Sequence, residues 1–183
     1  SRTGQFFRDS IGVPFFACAL KDRCDVTLPK VVMFNTGANR WRTFDEWPPR
    51  EAQPVSFYLR EEGGLSRERP TAGTGADRYV SDPMKPVPYT QALSFGYWRE
   101  YPTEDQRFAS RRPDVLTYVT DPLAEDLTVA GPIDVSLHIA SSGTDADFIV
   151  KVVDVFPLSA AAQHAGGSRM DAYEQLVHGN VFR

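Results

Sequence analysis

Residues 111–158 hold the densest apolar alternation in the chain, and they constrain its fold more than any other stretch. Apolar side chains at every second position lie on one face of an extended strand, the pattern of a half-buried antiparallel sheet. The rhythm predicts strands over residues 115–119, 127–131, 133–141 and 147–156. It argues for a β-sandwich, an architecture that hosts many activities and names none of them.

The flanking segments read as strands and loops added to this sheet, preceded by a helix. Residues 5–20 repeat aromatic pairs at Phe6-Phe7 and Phe15-Phe16 with loosely helical spacing, which predicts a helix kinked or split at Gly12-Val13-Pro14. Residues 28–35 are β-branched after a proline and predict a strand, closed by a turn at Thr36-Gly37-Ala38-Asn39. Shorter strands are expected at 55–59, on the return from a hairpin turn at Glu61-Glu62-Gly63-Gly64, and at 78–80 after the Gly-rich loop 71–77. The three prolines within 81–88 keep that segment out of a central strand. Residues 89–108 mix aromatics with charges, lack a period, and are long for a loop, a combination that points to function. A Gly/Ala-rich turn region at 159–169 leads to a last strand from residue 173 onward. The total is seven to nine short strands, a count that suits a sandwich or jelly roll.

With 183 residues, 42% of them hydrophobic, one domain with its own core and a fragment of another are expected. A net charge of −4 does not favour a nucleic-acid partner. No apolar run approaches the roughly 20 residues of a membrane span. Cys18 and Cys24 fit either a local bridge or two free thiols. The chain opens inside what reads as a helix and stops within an alternating segment, so a piece of a longer protein is expected. The compartment is left open, as is a homo-oligomer.

Catalytic chemistry is hard to place. No Gly-x-Ser-x-Gly elbow occurs, and Ser141-Ser142-Gly143 reads as a turn. His138, His164 and His178 have no carboxylate at a zinc-site spacing, and His138 is assigned to the wetter face of its strand. Asp145 and Asp147 could open a calcium loop, but the glycine and distal glutamate of an EF-hand are missing, and turn chemistry is preferred. Asp154, in an apolar strand, needs a partner such as Lys151 or an arginine and is read as structural. Trp41, Trp47 and Trp98 with Tyr97 and Tyr101 could stack on a sugar, which would make a carbohydrate-binding module. The preferred alternative has Trp41 and Trp47 covering one end of the sandwich or an interdomain seam. A plain interaction domain is the third reading.

Four ordered strings carry a resemblance. They are Val32-Met33-Phe34-Asn35-Thr36-Gly37-Ala38-Asn39-Arg40-Trp41 with Trp47-Pro48-Pro49; Tyr79-Val80-Ser81-Asp82-Pro83 with Pro86-Val87-Pro88; Arg112-Pro113-Asp114-Val115-Leu116 with Gly131-Pro132; and Ser141-Ser142-Gly143-Thr144-Asp145-Ala146-Asp147-Phe148 with Lys151-Val152-Val153-Asp154-Val155-Phe156-Pro157. Together they resemble the family of cocaine-esterase-like hydrolases, α-amino-acid ester hydrolases, glutaryl-cephalosporin acylases and X-Pro dipeptidyl-peptidases. In that family an α/β-hydrolase domain carries a Ser-Asp-His triad, and a C-terminal jelly roll packs beside it. The resemblance implies an all-β, jelly-roll β-sandwich of the galactose-binding-domain-like kind over residues 28–183, cut short at its C-terminus. Residues 1–27 would be a short helical remnant and linker of the α/β-hydrolase domain. The resemblance implies no catalytic residue, metal or cofactor in this chain. Its implied partners are the hydrolase domain of the same enzyme and a small acyl substrate at the domain boundary. The loop after Pro86-Val87-Pro88 would reach the substrate pocket, with Phe95, Tyr97 and Trp98 as the acyl contacts.

Overall fold

The computed structural model describes residues 2–71, 75–93, 95–96, 100–158 and 170–182. The chain divides into two compact units: Ser1–Pro54 with Thr128–Ser136, and Val55–Leu127 with Leu137–Arg183. Extended segments and hairpins dominate, and helix is confined to the N-terminus and to short turns.

The first unit opens with α1 (Arg2–Phe7), a π-helical turn (Arg8–Gly12) and α2 (Val13–Lys21). The expected split at Gly12-Val13-Pro14 takes the form of that π turn, in which the Val13 N–H donates to the Arg8 carbonyl five residues back. Pro14 then lies in the first turn of α2, where a missing N–H costs nothing. α2 stops at Asp22, whose φ of 51° is left-handed. Cys18 and Cys24 form a disulfide across this helix end, which decides the pairing that their spacing alone left open.

β1 (Val31–Asn35) and β2 (Arg40–Phe44) form an antiparallel hairpin in which Phe34 faces Trp41. Its turn is built by local chemistry: the Asn35 side-chain oxygen accepts the Ala38 N–H at 2.7 Å, and Asn39 takes a φ of 50°. Trp41 packs against Phe6 of α1 (ring centroids 4.8 Å apart, stacked) and against Phe34 (5.2 Å, edge-on). It is engaged in packing and offers no open platform for a sugar. Trp47, joined to Pro48 by a cis peptide bond, meets the Phe44 ring. Two of the quoted strings touch here. Gly131, at φ 113°, lies so close to the Pro48 ring that a Cβ would sit 3.1 Å from its Cγ.

The second unit holds two hairpins. β3 (Tyr58–Leu59) and β4 (Leu65–Ser66) pair around a short turn at Glu61–Gly63. Gly63 there has φ 74°, and a Cβ would fall 2.9 Å from the Thr117 carbonyl oxygen. Val119 bridges this hairpin: it donates to the Gly63 carbonyl and accepts from the Leu65 N–H. β5 (Phe148–Val155) and β6 (Glu174–Phe182) form the longest ladder, with a register shift between Val152 and Val153. Arg107–Ser110 is a one-turn helix, α3. Buried side chains are few among the described residues, and in this unit they are Thr90, Gln106, Ala109 and Met170.

Several strand expectations are corrected. Residues 78–80, 127–131 and 133–141 make no strand, and of 115–119 only Val119 is bridged. Ile133, Val135, Leu137 and Ile139 alternate as read, yet both faces of that segment are exposed, including His138. Alternation states which side chains share a face, whereas a strand also needs a neighbour for its N–H and C=O groups. Asp154 is exposed opposite Gln175, so it does not use Lys151 as a partner. Ser141 is the turn serine expected: its Oγ accepts the Gly143 N–H at 3.0 Å. The turn region 159–169 with His164 lies outside the described residues, as does part of the Gly-rich loop at 72–74.

Candidate functional site

The polar chemistry of the second unit converges on residues 101–108. Tyr101–Thr103, with Pro102 at its second position, is a single 3₁₀ turn, and the chain then runs beside β6. Gln106, 2% exposed, has both ends of its amide engaged. Its Nε2 donates to the Glu104 carbonyl at 2.8 Å, and its Oε1 accepts from Lys151 Nζ of β5 at 2.7 Å. An amide so deeply placed would be costly if either end were unmet. Its backbone N–H donates to the Glu174 carbonyl at 3.0 Å.

Asp105 ties the same segment to β6. Its Oδ1 accepts the N–H groups of Arg107 (3.1 Å) and Glu174 (3.3 Å), and its Oδ2 accepts Arg107 Nε at 2.6 Å. Burial alone would raise this carboxyl, but the bonds from the Arg107 side chain and from the two backbone N–H groups outweigh it and hold the carboxyl below its usual range. Tyr173 donates its hydroxyl to the Thr103 carbonyl, and Gln175 Nε2 donates to the Pro102 carbonyl at 3.0 Å. Burial, and then the charges of Asp105 and Glu104, raise the Tyr173 phenol.

Lys151 stands 5.6 Å from the ring centroids of both Tyr101 and Phe108. Burial pushes its ammonium below the ordinary lysine range, with Glu104 acting in the opposite direction. Glu104 in turn accepts the Gln91 N–H at 3.0 Å, and the Tyr89 and Tyr101 rings meet at 5.3 Å. The two ends of the loop 90–103 are therefore joined at a neck, and the neck is bonded to β5 and β6. Beyond the neck, Leu93 and Phe95 are fully exposed. Beside it Gln91, Asp105, Arg107, Phe108 and Arg111 line an open cleft of about 320 Å³.

Among the described residues neither His138 nor His178 hydrogen-bonds a serine, and no three of His, Cys, Asp and Glu gather where a metal ion could be held. Of the three acyl-contact candidates, Phe95 is placed on the exposed loop, and Tyr97 and Trp98 lie outside the described residues. Sequence reasoning missed Gln106 and Glu104, and offered Lys151 to Asp154, whereas its Nζ bonds Gln106. The available signal was Lys151 itself, a cation between Val150 and Val152 that had to find a partner.

Residues 25–180 match the model of the X-Pro dipeptidyl-peptidase C-terminal non-catalytic domain. The chain belongs to that family. Cocaine esterase of Rhodococcus sp. (strain MB1 Bresler) is 34% identical over 175 residues, covering 90% of the chain and 30% of the esterase. Two solved structures superpose with a TM-score of 0.80 over 99% of the chain. One is an aminopeptidase from the marine sediment archaeon Thaumarchaeota archaeon, 36% identical, with 30% of its chain covered. The other is an α-amino-acid ester hydrolase, 35% identical, with 31% covered. The chain thus spans about 30% of the length of the relatives it matches. Membership in this non-catalytic domain family does not favour a carbohydrate-binding module.

Proposed function

We propose that this X-Pro dipeptidyl-peptidase C-terminal non-catalytic domain is a galactose-binding-domain-like jelly roll that serves a serine acyl hydrolase. It packs against the α/β-hydrolase domain of the same enzyme and lends that domain part of its substrate-pocket rim. The observation that carries this reading is the family match over residues 25–180, joined to relatives named as an esterase, an ester hydrolase and an aminopeptidase. The start of the match at residue 25 supports assigning residues 1–27 to the hydrolase domain and 28–183 to the jelly roll. The substrate class is a small ester or amide. Its acyl group is bounded by the loop that carries Phe95, Tyr97 and Trp98, and the full exposure of Phe95 leaves it available for that contact.

In the whole enzyme an activated serine attacks the acyl carbonyl, and water releases the acyl-enzyme. This chain supplies neither the nucleophile nor its base. Alone it should therefore leave p-nitrophenyl acetate at the buffer rate. Turnover above buffer that a serine-directed phosphonate abolishes would refute the reading.

A further inference from the structure

We infer that the open cleft lined by Gln91, Asp105, Arg107, Phe108 and Arg111 is a binding site for a small organic carboxylate with an aromatic body. All five residues belong to the second unit.

Charge sets the sign of the ligand. Two guanidinium groups and one carboxylate line the cleft. The carboxylate is already satisfied. Asp105 Oδ1 accepts the backbone N–H groups of Arg107 and Glu174, and its Oδ2 accepts Arg107 Nε and lies against Nη2 of the same group. These bonds fix the Arg107 side chain and leave its Nη1 without a partner among the described residues. Arg111 is exposed, and its guanidinium has neither a salt bridge nor a hydrogen bond among the described residues. Its neighbour Arg112, by contrast, is paired with Asp114 at 2.6 Å. The uncompensated charge of the cleft is therefore that of Arg111, and a monoanion matches it. A phosphate dianion would bring a second negative charge towards Asp105.

Geometry narrows the ligand further. Arg107 and Arg111 stand four residues apart across the single turn of α3, where like charges oppose one another until an anion meets them. Guanidinium forks match the planar carboxylate better than other anions of that charge. Phe108, half-buried between the two in sequence, supplies an apolar wall for a ring. Gln91, whose backbone N–H is held by Glu104 at 3.0 Å, keeps its side-chain amide uncommitted among the described residues. The volume of about 320 Å³ lies at the small end of ligand sites, enough for one ring and its carboxylate.

The test uses the complete enzyme that carries this chain, with 4-fluorobenzoate as the probe. A fluorine NMR titration should saturate with a Kd on the order of 1 mM. The neutral counterpart, 4-fluorobenzyl alcohol, should bind at least about tenfold more weakly, the loss expected of a charge-assisted bond. Arg111→Gln, at an exposed position that the fold tolerates, should weaken 4-fluorobenzoate about three- to tenfold. Arg78→Gln, at an exposed arginine outside the cleft, should leave it unchanged. Phenylglyoxal labelling, read peptide by peptide in a mass spectrometer, locates the site. The probe at twice its Kd should slow modification of Arg111 about threefold by occupancy and leave Arg78 at its own rate. Uptake without saturation overturns the inference, as does equal weakening in the two variants or equal protection of the two arginines. Inorganic phosphate that protects Arg111 as well as 4-fluorobenzoate does at the same concentration overturns the assignment to an organic carboxylate.

Discussion

Gln106→Met tests how much the buried amide contributes. Methionine has nearly the volume of glutamine, so packing is largely kept and the polar bonds are lost. Two are at stake: the neutral bond from Nε2 to the Glu104 carbonyl and the charge-assisted bond from Lys151 Nζ. Those two classes contribute about 0.5–1.5 and about 1.5–3 kcal/mol respectively. Burial of the thioether in a site only 2% exposed offsets about 1 kcal/mol. The net expectation is a destabilisation of about 2 kcal/mol. Equilibrium urea denaturation should show it as a lower midpoint at unchanged slope. A double-mutant cycle sharpens the test. Lys151→Met removes the other partner of the same bond, so the double variant should be less destabilised than the sum of the singles by about 1–2 kcal/mol. A loss below about 0.5 kcal/mol for Gln106→Met, or strict additivity with Lys151→Met, would refute the claim that this bond anchors residues 101–108.

Three further outcomes are expected. Asp105 has a folded pKa below its unfolded value, so its stabilisation is fully present above about pH 4 and is lost as pH falls toward the folded pKa; Asp105→Asn should flatten that acid limb of a stability-versus-pH curve. Gly131→Ala forces a side chain into φ 113° and against Pro48 and should cost about 1–3 kcal/mol in thermal melts, whereas Gly143→Ala, whose Cβ would meet nothing nearer than 3.6 Å, should cost less than about 0.5 kcal/mol. Cys18→Ser opens the short loop at the end of α2 and should lower stability by about 2 kcal/mol on the chain-entropy estimate, and in the wild type alkylation of both thiols should require reductant.

Local chemistry made part of this protein legible in advance. The turn at Thr36-Gly37-Ala38-Asn39 needs only an asparagine side chain, a glycine and a residue tolerant of left-handed φ, all of them adjacent in sequence, and the hairpin forms as expected. Residues 148–155, rich in β-branched side chains, form a strand because they meet an antiparallel partner in Glu174–Phe182. Residues 133–141 alternate more regularly and form none. The acyl-contact candidates were assigned through resemblance, and of these the structure locates Phe95 on an exposed loop.

What the sequence by itself determined is therefore the composition of the faces, the turns, and the family strings that mark a non-catalytic domain. Tertiary structure alone decided that Lys151 leaves Asp154 to solvent and bonds Gln106 forty-five residues away, that Gly131 lies against Pro48, and that residues 89 and 101 close a neck. The physical reason is range. A turn or an alternating face follows from interactions between near neighbours, whereas the partner of a buried polar group depends on which distant segment packs over it, and nothing in the local pattern specifies that choice.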